Sequence, residues 1–262
     1  KDLESYIPLA PNHLPHALEA MERLQKVYTG VPQIACFDTG FHQHLPLRAK
    51  TLPVDTGHNP LLRRYGFHGL SYEYIYGRLA ALYPAIKNKK IILAHLGNGA
   101  SMAAVVNGTC IDTTMGFTPT GGLLMGSRTG DVDPGLLLYL LQQKEYTATQ
   151  LNNLVNHHGG LKGISGISSD MQTLLEQAPG KPAAQLAIDM FCYTVKKQLG
   201  AYMAAMNGAD IIVFTGGIGD AAPAIRKAIC SGLNFAGIQL DESLNNQNAA
   251  LISAAGSAGN RQ

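Results

Sequence analysis

Two glycine-rich segments in this 262-residue chain each follow an apolar run: "IILAHLGNGAS" at 91–101 and "DIIVFTGGIGD" at 210–220. A backbone almost bare of side chains at the end of a strand lets a ligand approach closely, and its N–H groups form a concavity suited to anions. A tight turn explains the same residues. Gly97-Asn98-Gly99 is open to both readings, since it can turn a hairpin and cradle phosphate at once. Neither segment is a P-loop, because no GxxxxGK[ST] exists here. "GGIGDAA" follows an apolar run but lacks the GxGxxG spacing of a dinucleotide fingerprint.

Three more side chains could do chemistry. Arg128 lies between Gly126 and Gly130 in "GFTPTGGLLMGSRTGDVDPG" (116–135), with Asp131 and Asp133 close behind. It is either a surface arginine paired to a neighbouring carboxylate or a guanidinium aimed at a transferring phosphoryl group. His68, in "RRYGFHGLSY", sits at a loop-to-helix junction beside glycines; it is either structural or approachable by a ligand. Asp38 ends an apolar run in "FDTG". It either caps the following turn or faces a cleft, where it meets a metal or a substrate proton. His42 and His44 stand at i, i+2 with no Cys or carboxylate pattern for zinc, so no metal ligand is assigned. His157-His158 lies in a polar "NHHGG" turn and reads as loop.

These residues need elements to position them. Residues 11–28 read as a helix with Ala17, Ala20, Met21 and Leu24 recurring at three and four. "PQIACFDTGF" reads as a short strand, 44–66 as a Pro-rich loop, and "LSYEYIYGRLAALY" as a helix with Tyr74, Leu79 and Leu82 among its apolar positions. "KIILAHL", "ASMAAVV" and "TCIDTTM" form a three-stranded meander, its last two strands joined by Asn107-Gly108, a strong hairpin signal. "GLLLYLLQQ" reads as a buried helix. Residues 182–206 form the longest helix, with Leu186, Met190, Val195, Leu199, Tyr202 and Met206 near one stripe, and stop at Asn207-Gly208. "DIIVFTGGIGD" is a strand running into the second glycine loop, 222–231 a helix with Pro223 in its first turn, and the tail from Asn245 is weakly patterned and partly disordered. A meander followed by helices, a strand and a helix predicts an α/β architecture: a mixed sheet with helices packed on it.

Bulk properties exclude some functions. The chain is 46% hydrophobic and 15% charged with a net charge of +2. It has no basic patch for nucleic acid or an acidic membrane, and no apolar run approaches a membrane span. Four dispersed cysteines form no CxxC and read as small buried hydrophobes in a reducing compartment. The chain opens with Lys1 rather than Met, which reads as a fragment or a processed product.

Taken in order, "FDTGFHQ", "RRYGFHG", "HLGNGAS", "GFTP", "MGSRTGDVDPG", "SGISSD" and "FTGGIG" resemble the ordered motifs of the acetate kinase family, which includes propionate and butyrate kinases. The resemblance runs from about residue 8 to about residue 240. It implies a ribonuclease-H-like domain of the acetate and sugar kinase, heat-shock chaperone and actin superfamily. Residues 1–42 would be the end of the first domain and 43–262 the second, nucleotide-binding domain. It further implies reversible, ATP-dependent phosphorylation of a short-chain carboxylate by in-line transfer, with ATP/ADP and Mg²⁺, in a cytoplasmic homodimer. Carried over by motif, Asp38 resembles the aspartate near substrate and metal. His68 and Arg128 resemble the residues that stabilise the transition state. His95, Leu96, Gly97, Asn98 and Gly99 resemble the phosphate loop. Asp170, Met171 and Gln172 resemble the adenosine side, and Gly217, Ile218, Gly219, Asp220 and Ala221 the second nucleotide loop.

The chain departs from the family pattern at several points. The N-terminal "DxGSSSxK"-type segment, the substrate-side arginine after it and the C-terminal segment with a metal-linked glutamate are not in this chain, so the fragment alone is expected to be inactive. "GFHGTSH" reads "GFHGLSY", with Tyr72 in place of a histidine. "TPLEG" reads "TPTGG", with Gly121 for glutamate; Gln172 stands where an arginine is usual; "GIGEN" reads "GIGDA". Acetate kinase is the leading reading and propionate or butyrate kinase the neighbouring one. A non-catalytic actin-like or chaperone-like nucleotide-binding module is the alternative of another class.

Overall fold

The computed structural model describes residues 2–9, 14–55, 57 and 59–257. The meander forms as its turn chemistry dictates. Strand β1 (Lys90–Leu96) pairs antiparallel with β2 (Ala100–Val106), and β2 with β3 (Thr109–Thr113). Asn107 and Gly108 both take positive φ, 50° and 79°, as a two-residue primed turn requires. Strand β4 (Ile211–Thr215) joins β1 in parallel, giving the order β3-β2-β1-β4. His95 is level with Thr215 in that pairing, so both glycine segments leave the sheet at the same end.

The helices are α1 (Leu14–Val27), α2 (Leu47–Lys50), α3 (Gly69–Leu82), α4 (Pro134–Gln142), α5 (Ala148–His157), α6 (Gly160–Ser165), α7 (Met171–Gln177), α8 (Pro182–Met206), α9 (Gly216–Ala221), α10 (Pro223–Cys230) and α11 (Glu242–Asn246). The strands β1 and β2 read as near-continuous apolar runs because both faces of the sheet are covered. Ile92, Ala94, Leu96, Met102 and Ala104 share one core with Phe191, Val195, Leu199 and Tyr202 of α8. Ile91, Leu93, Ala103 and Val105 point the other way, into a second core with Tyr72 of α3 and Leu45. Fully burying a side chain of this size is worth about 1.5–3 kcal/mol. Asn207 closes α8 in the left-handed conformation at φ 55°.

Several expectations are corrected. Residues 32–37 form no strand: Ile34 is 87% exposed, and an apolar run without a neighbour among the described residues has no ladder to join. "GLLLYLLQQ" is helical as α4 but buries none of its residues; α5 packs against it, and Leu138 and Tyr139 remain open to solvent. α1 likewise buries nothing; Pro11, Asn12 and His13 of its expected span lie outside the described residues. In α3 the covered side chains are Tyr72, Ile75, Tyr76 and Leu79, while Tyr74 and Leu82 are exposed. In α8, Leu186 and Met190 face solvent and the last four residues of the expected stripe are buried. Cys36 is exposed and the other three cysteines are buried.

The second glycine segment is a helix, α9, rather than a loop. Gly216 begins it at φ 78°, and a Cβ there would lie 2.6 Å from the Leu96 carbonyl oxygen, so only glycine lets the chain turn this close to β1. The tail also folds as far as it is described. Arg226, 3% exposed, donates to Asn245, to Asn248 and to the carbonyls of Gly219 and Asp220.

Candidate active site

The second core explains the site. On the α3 face of the sheet, His95 of β1 and Ser101 of β2 are direct cross-strand partners. Facing them, His68, Ser71 and Tyr72 stand at i, i+3 and i+4, the spacing that puts three side chains on one helical face. The two sets interlock. Ser71 Oγ lies 2.9 Å from His95 Nδ1, Ser101 Oγ lies 2.8 Å from His68 Nδ1, and the Tyr72 hydroxyl meets Ser101 Oγ. The rings of His68 and His95 stack with centroids 4.3 Å apart.

Asp38 holds the start of this helix. Its carboxylate accepts from the His68 N–H at 2.7 Å and the Leu70 N–H at 3.4 Å, and its carbonyl accepts from Gly69 at 2.8 Å. Asp38 is thus a cap, placed at the N-terminus of a helix distant in sequence rather than on the next turn. A carboxylate there satisfies donors that the helix leaves open and favours its positive end. His68 pays for its place with a left-handed backbone, φ 59°, an uncommon conformation for a side chain with a Cβ. Phe41 and His42, next to Asp38, pack against Tyr72. His42 is a buried core histidine bonded to the Phe67 carbonyl and close to Cys110 Sγ, whereas His44 is exposed.

The turn after β1 is a hairpin whose Gly97 N–H donates to the Gly99 carbonyl at 3.2 Å. Its backbone also docks on the arginine loop: Gly126 N–H donates to the Asn98 carbonyl at 2.9 Å. Gly99 is where the parts converge. A Cβ on it would lie 2.7 Å from Arg128 Nη2 and 3.3 Å from His68 Nε2. Arg128 donates through Nη1 to the Pro119 carbonyl at 2.6 Å, within its own loop. It makes no ion pair among the described residues. Asp131 instead accepts from the Gly122 N–H, and Asp133 caps α4 through the Gly135 N–H. The paired surface arginine is therefore not what this loop builds; it presents an un-neutralised guanidinium beside a bare backbone.

The remaining expected residues divide. The turn at 168–170 reaches this region, since a Cβ on Gly126 would lie 2.9 Å from the Ser169 carbonyl oxygen. Asp170 caps α7 through the Thr173 N–H, and that hydrogen bond, with a second from the Thr173 hydroxyl, holds its carboxyl below the usual range. Met171 is buried in the core, and the exposed Gln172 donates to Glu176. Leu96 is also a core side chain, leaving only its backbone at the site. Gly217, Asp220 and Ala221 are exposed on α9, Ile218 packs on the core, and Gly219 is buried against Leu96. Two surface clefts of about 440 and 500 Å³, one beside Asp189 and Tyr193 and one beside Cys36 and Glu73, include none of Gly99, His68 and Arg128.

Burial sets the electrostatics. It pushes the His68 imidazole down, as do the adjoining His95 ring and Arg128 against the pull of Asp38, to about 4. Burial also lowers His95 and Arg128. The guanidinium stays charged, so neutral imidazoles stand next to one fixed cation. Ser71, Ser101 and the Pro119 carbonyl were not singled out by sequence reasoning. Ser101 lies inside "HLGNGAS" and Pro119 inside "GFTP", but nothing local says which histidine or arginine they meet.

Comparison with known proteins gives the family. The family model described as "Acetokinase family" matches residues 1–259. The chain is 46% identical over 260 residues to an acetate kinase of Heliobacterium modesticaldum, and 46% identical over 263 residues to acetate kinase 2 of Clostridium perfringens. These matches cover 97% and 98% of the chain and 66% of each relative's length, so the chain spans just under two thirds of them. A crystal structure of a propionate kinase from Francisella tularensis superposes with a TM-score of 0.92 at 38% identity, over 97% of this chain and 67% of that one. The acetate kinase of Porphyromonas gingivalis gives 0.89 at 39%, over 97% and 66%. The sheet with its two covered faces is thus the mixed α/β fold of these kinases, and this chain belongs to the acetokinase family.

Proposed function

We propose that the protein carrying this chain transfers the γ-phosphoryl group of ATP to acetate, reversibly, giving acetyl phosphate and ADP. The observation that carries this reading is the convergence on Gly99, where the Arg128 guanidinium and His68 Nε2 flank a backbone with no side chain. In such a transfer a carboxylate oxygen forms a bond to phosphorus as the bond to the ADP oxygen breaks, and the electron pair leaves with ADP. Charge spreads over three equatorial oxygens, which need positive donors and no covalent partner. Arg128 supplies two parallel N–H donors, and His68 a third donor beside them. The β1–β2 turn, the 168–170 turn and α9 are the nucleotide side of the same reading, with the division between domains at 42/43.

Mg²⁺ fits this donor set. It commonly takes one or two carboxylates with phosphates and water rather than an all-protein cage. Asp38 would hold it, with the carboxylate lone pairs not used by the His68 and Leu70 amides. Bound there, the ion would neutralise phosphate charge. Assembly as a homodimer in the cytoplasm belongs to the same proposal; no described helix is long and apolar enough to cross a membrane.

Propionate is the second substrate to test, because a propionate kinase superposes at a TM-score of 0.92. The test is to incubate the protein with ATP, Mg²⁺ and each acid and to trap acyl phosphate with hydroxylamine. Acetate-dependent hydroxamate is expected. Tight ATP binding with no acyl phosphate from either acid would favour the non-catalytic nucleotide-binding module instead.

A further inference from the structure

The hydrogen-bond chain behind His68 has a direction. Ser101 Oγ touches two groups, the Tyr72 hydroxyl and His68 Nδ1. A serine has one hydrogen and two acceptor lone pairs; Ser101 is 0% exposed and its hydroxyl has no further acceptor among the described residues, so its hydrogen goes to one of these two partners and two arrangements remain. Either Tyr72 donates to Ser101 and Ser101 donates to His68, or His68 Nδ1–H donates to Ser101 and Ser101 donates to Tyr72. The second leaves the phenol proton to find another acceptor. Tyr72 is 0% exposed, so water does not supply one. The other polar group acting on the phenol oxygen is the backbone N–H of His95, itself a donor. The phenol proton therefore goes to Ser101, the serine proton to Nδ1, and the imidazole hydrogen to Nε2.

We propose that Tyr72 is a positioning residue which, through Ser101, holds His68 as the tautomer bearing its hydrogen on Nε2, the nitrogen beside Gly99. The opposite tautomer would aim a lone pair at an anionic ligand. Tyr72 stands where the family pattern has a histidine. A buried imidazole can donate or accept at that place, whereas burial drives the phenol further from ionisation and leaves it a donor. The groups facing His68 are His95 from β1, Arg128 from its loop, Asp38 at the head of α3 and His42 behind it. Arg128 and the two histidines disfavour the imidazolium, so tautomer choice, not charge, is what the relay sets.

The proposal rests on the phosphoryl-transfer reading for its purpose only; the tautomer belongs to the chain and can be read without activity. The chain is labelled with ¹⁵N in its imidazoles and examined at pH 7 by two-bond ¹⁵N–¹H correlation, with His68→Gln to assign the signal. His68 is expected to show a pyrrole-type Nε2 and a pyridine-type Nδ1. Tyr72→Phe is expected to give mixed tautomers; Ser101→Ala should do the same, and the double variant no more. A wild-type Nδ1–H tautomer overturns the proposal whether or not any variant folds. So does an unchanged tautomer in a folded Tyr72→Phe. In the protein that carries this chain, Tyr72→Phe should lower kcat about 10-fold with little change in the KM for ATP. A changed tautomer with unchanged kcat would leave the relay standing and count against the phosphoryl-transfer role of His68.

Discussion

His68 and His95 are cross-braced: their rings stack at 4.3 Å, and each Nδ1 is held by a serine carried on the other's side of the interface. Ser71, on the helix that starts at His68, bonds His95, while Ser101, the strand partner of His95, bonds His68. Two rings fixed this way keep their orientation when a charged ligand arrives, which is the pre-organisation that electrostatic catalysis requires.

Arg128 should act in turnover rather than in ground-state binding. Arg128→Ala, in the protein that carries this chain, should lower kcat by roughly 10³-fold or more, by analogy with arginine fingers, with little change in the KM for ATP. Arg128→Lys should recover only a small part, because an ammonium keeps the charge and loses the fork. Steady-state kinetics decide it; a raised KM at near wild-type kcat would make Arg128 a ground-state binding residue.

Gly99→Ala tests the convergence with a single methyl group. The added Cβ would meet Arg128 Nη2 at 2.7 Å, the end of a side chain that can swing aside, so the fold should survive with a Tm close to wild type. The guanidinium would be displaced, and calorimetric ADP or ATP affinity, kcat or both should fall. A variant with unchanged affinity and turnover would return this glycine to a plain hairpin turn.

The buried histidines predict acid instability with a definite window. Burial lowers His42, His68 and His95 in the folded chain, His68 to about 4 from the 6.5 of an unhindered imidazole. Between those two values the unfolded chain binds protons that the folded chain refuses, so stability falls as pH falls from 6.5 towards 4. The slope contributed by each such group is at most about 1.4 kcal/mol per pH unit. Denaturant titrations across this range should show the loss, and His68→Gln should flatten the slope. A pH-independent midpoint between 6.5 and 4 would contradict the neutral imidazoles.

Arg226 ties α9 to the tail by five hydrogen bonds from a buried guanidinium. Arg226→Met should cost more than about 3 kcal/mol, since the Asn245, Gly219 and Asp220 acceptors lose a charged donor. Hydrogen exchange should speed up first in 216–221 and 241–249. Protection unchanged in both segments would show that α9 stands without the tail.

Much of this architecture is legible locally. Short apolar runs and turn chemistry place β1, β2 and β3 and their Asn107-Gly108 hairpin; the 3.6-residue period and its Asn-Gly stop place α8; and the motif order points to Asp38, His68 and Arg128. These signals are short-range, since each depends on residues a few positions apart. What covers what is not. Residues 32–37 and α4 carry apolar runs as strong as those of buried elements, yet Ile34 and Leu138 face solvent, because burial is decided by a neighbour that composition does not name. The pairing of Asp38 with the first amides of α3, of Ser101 with His68 and of Ser71 with His95 joins residues far apart in sequence. Only the docking of α3 across β1 and β2 brings them within hydrogen-bonding range, and that docking is a property of two packed surfaces rather than of either segment alone.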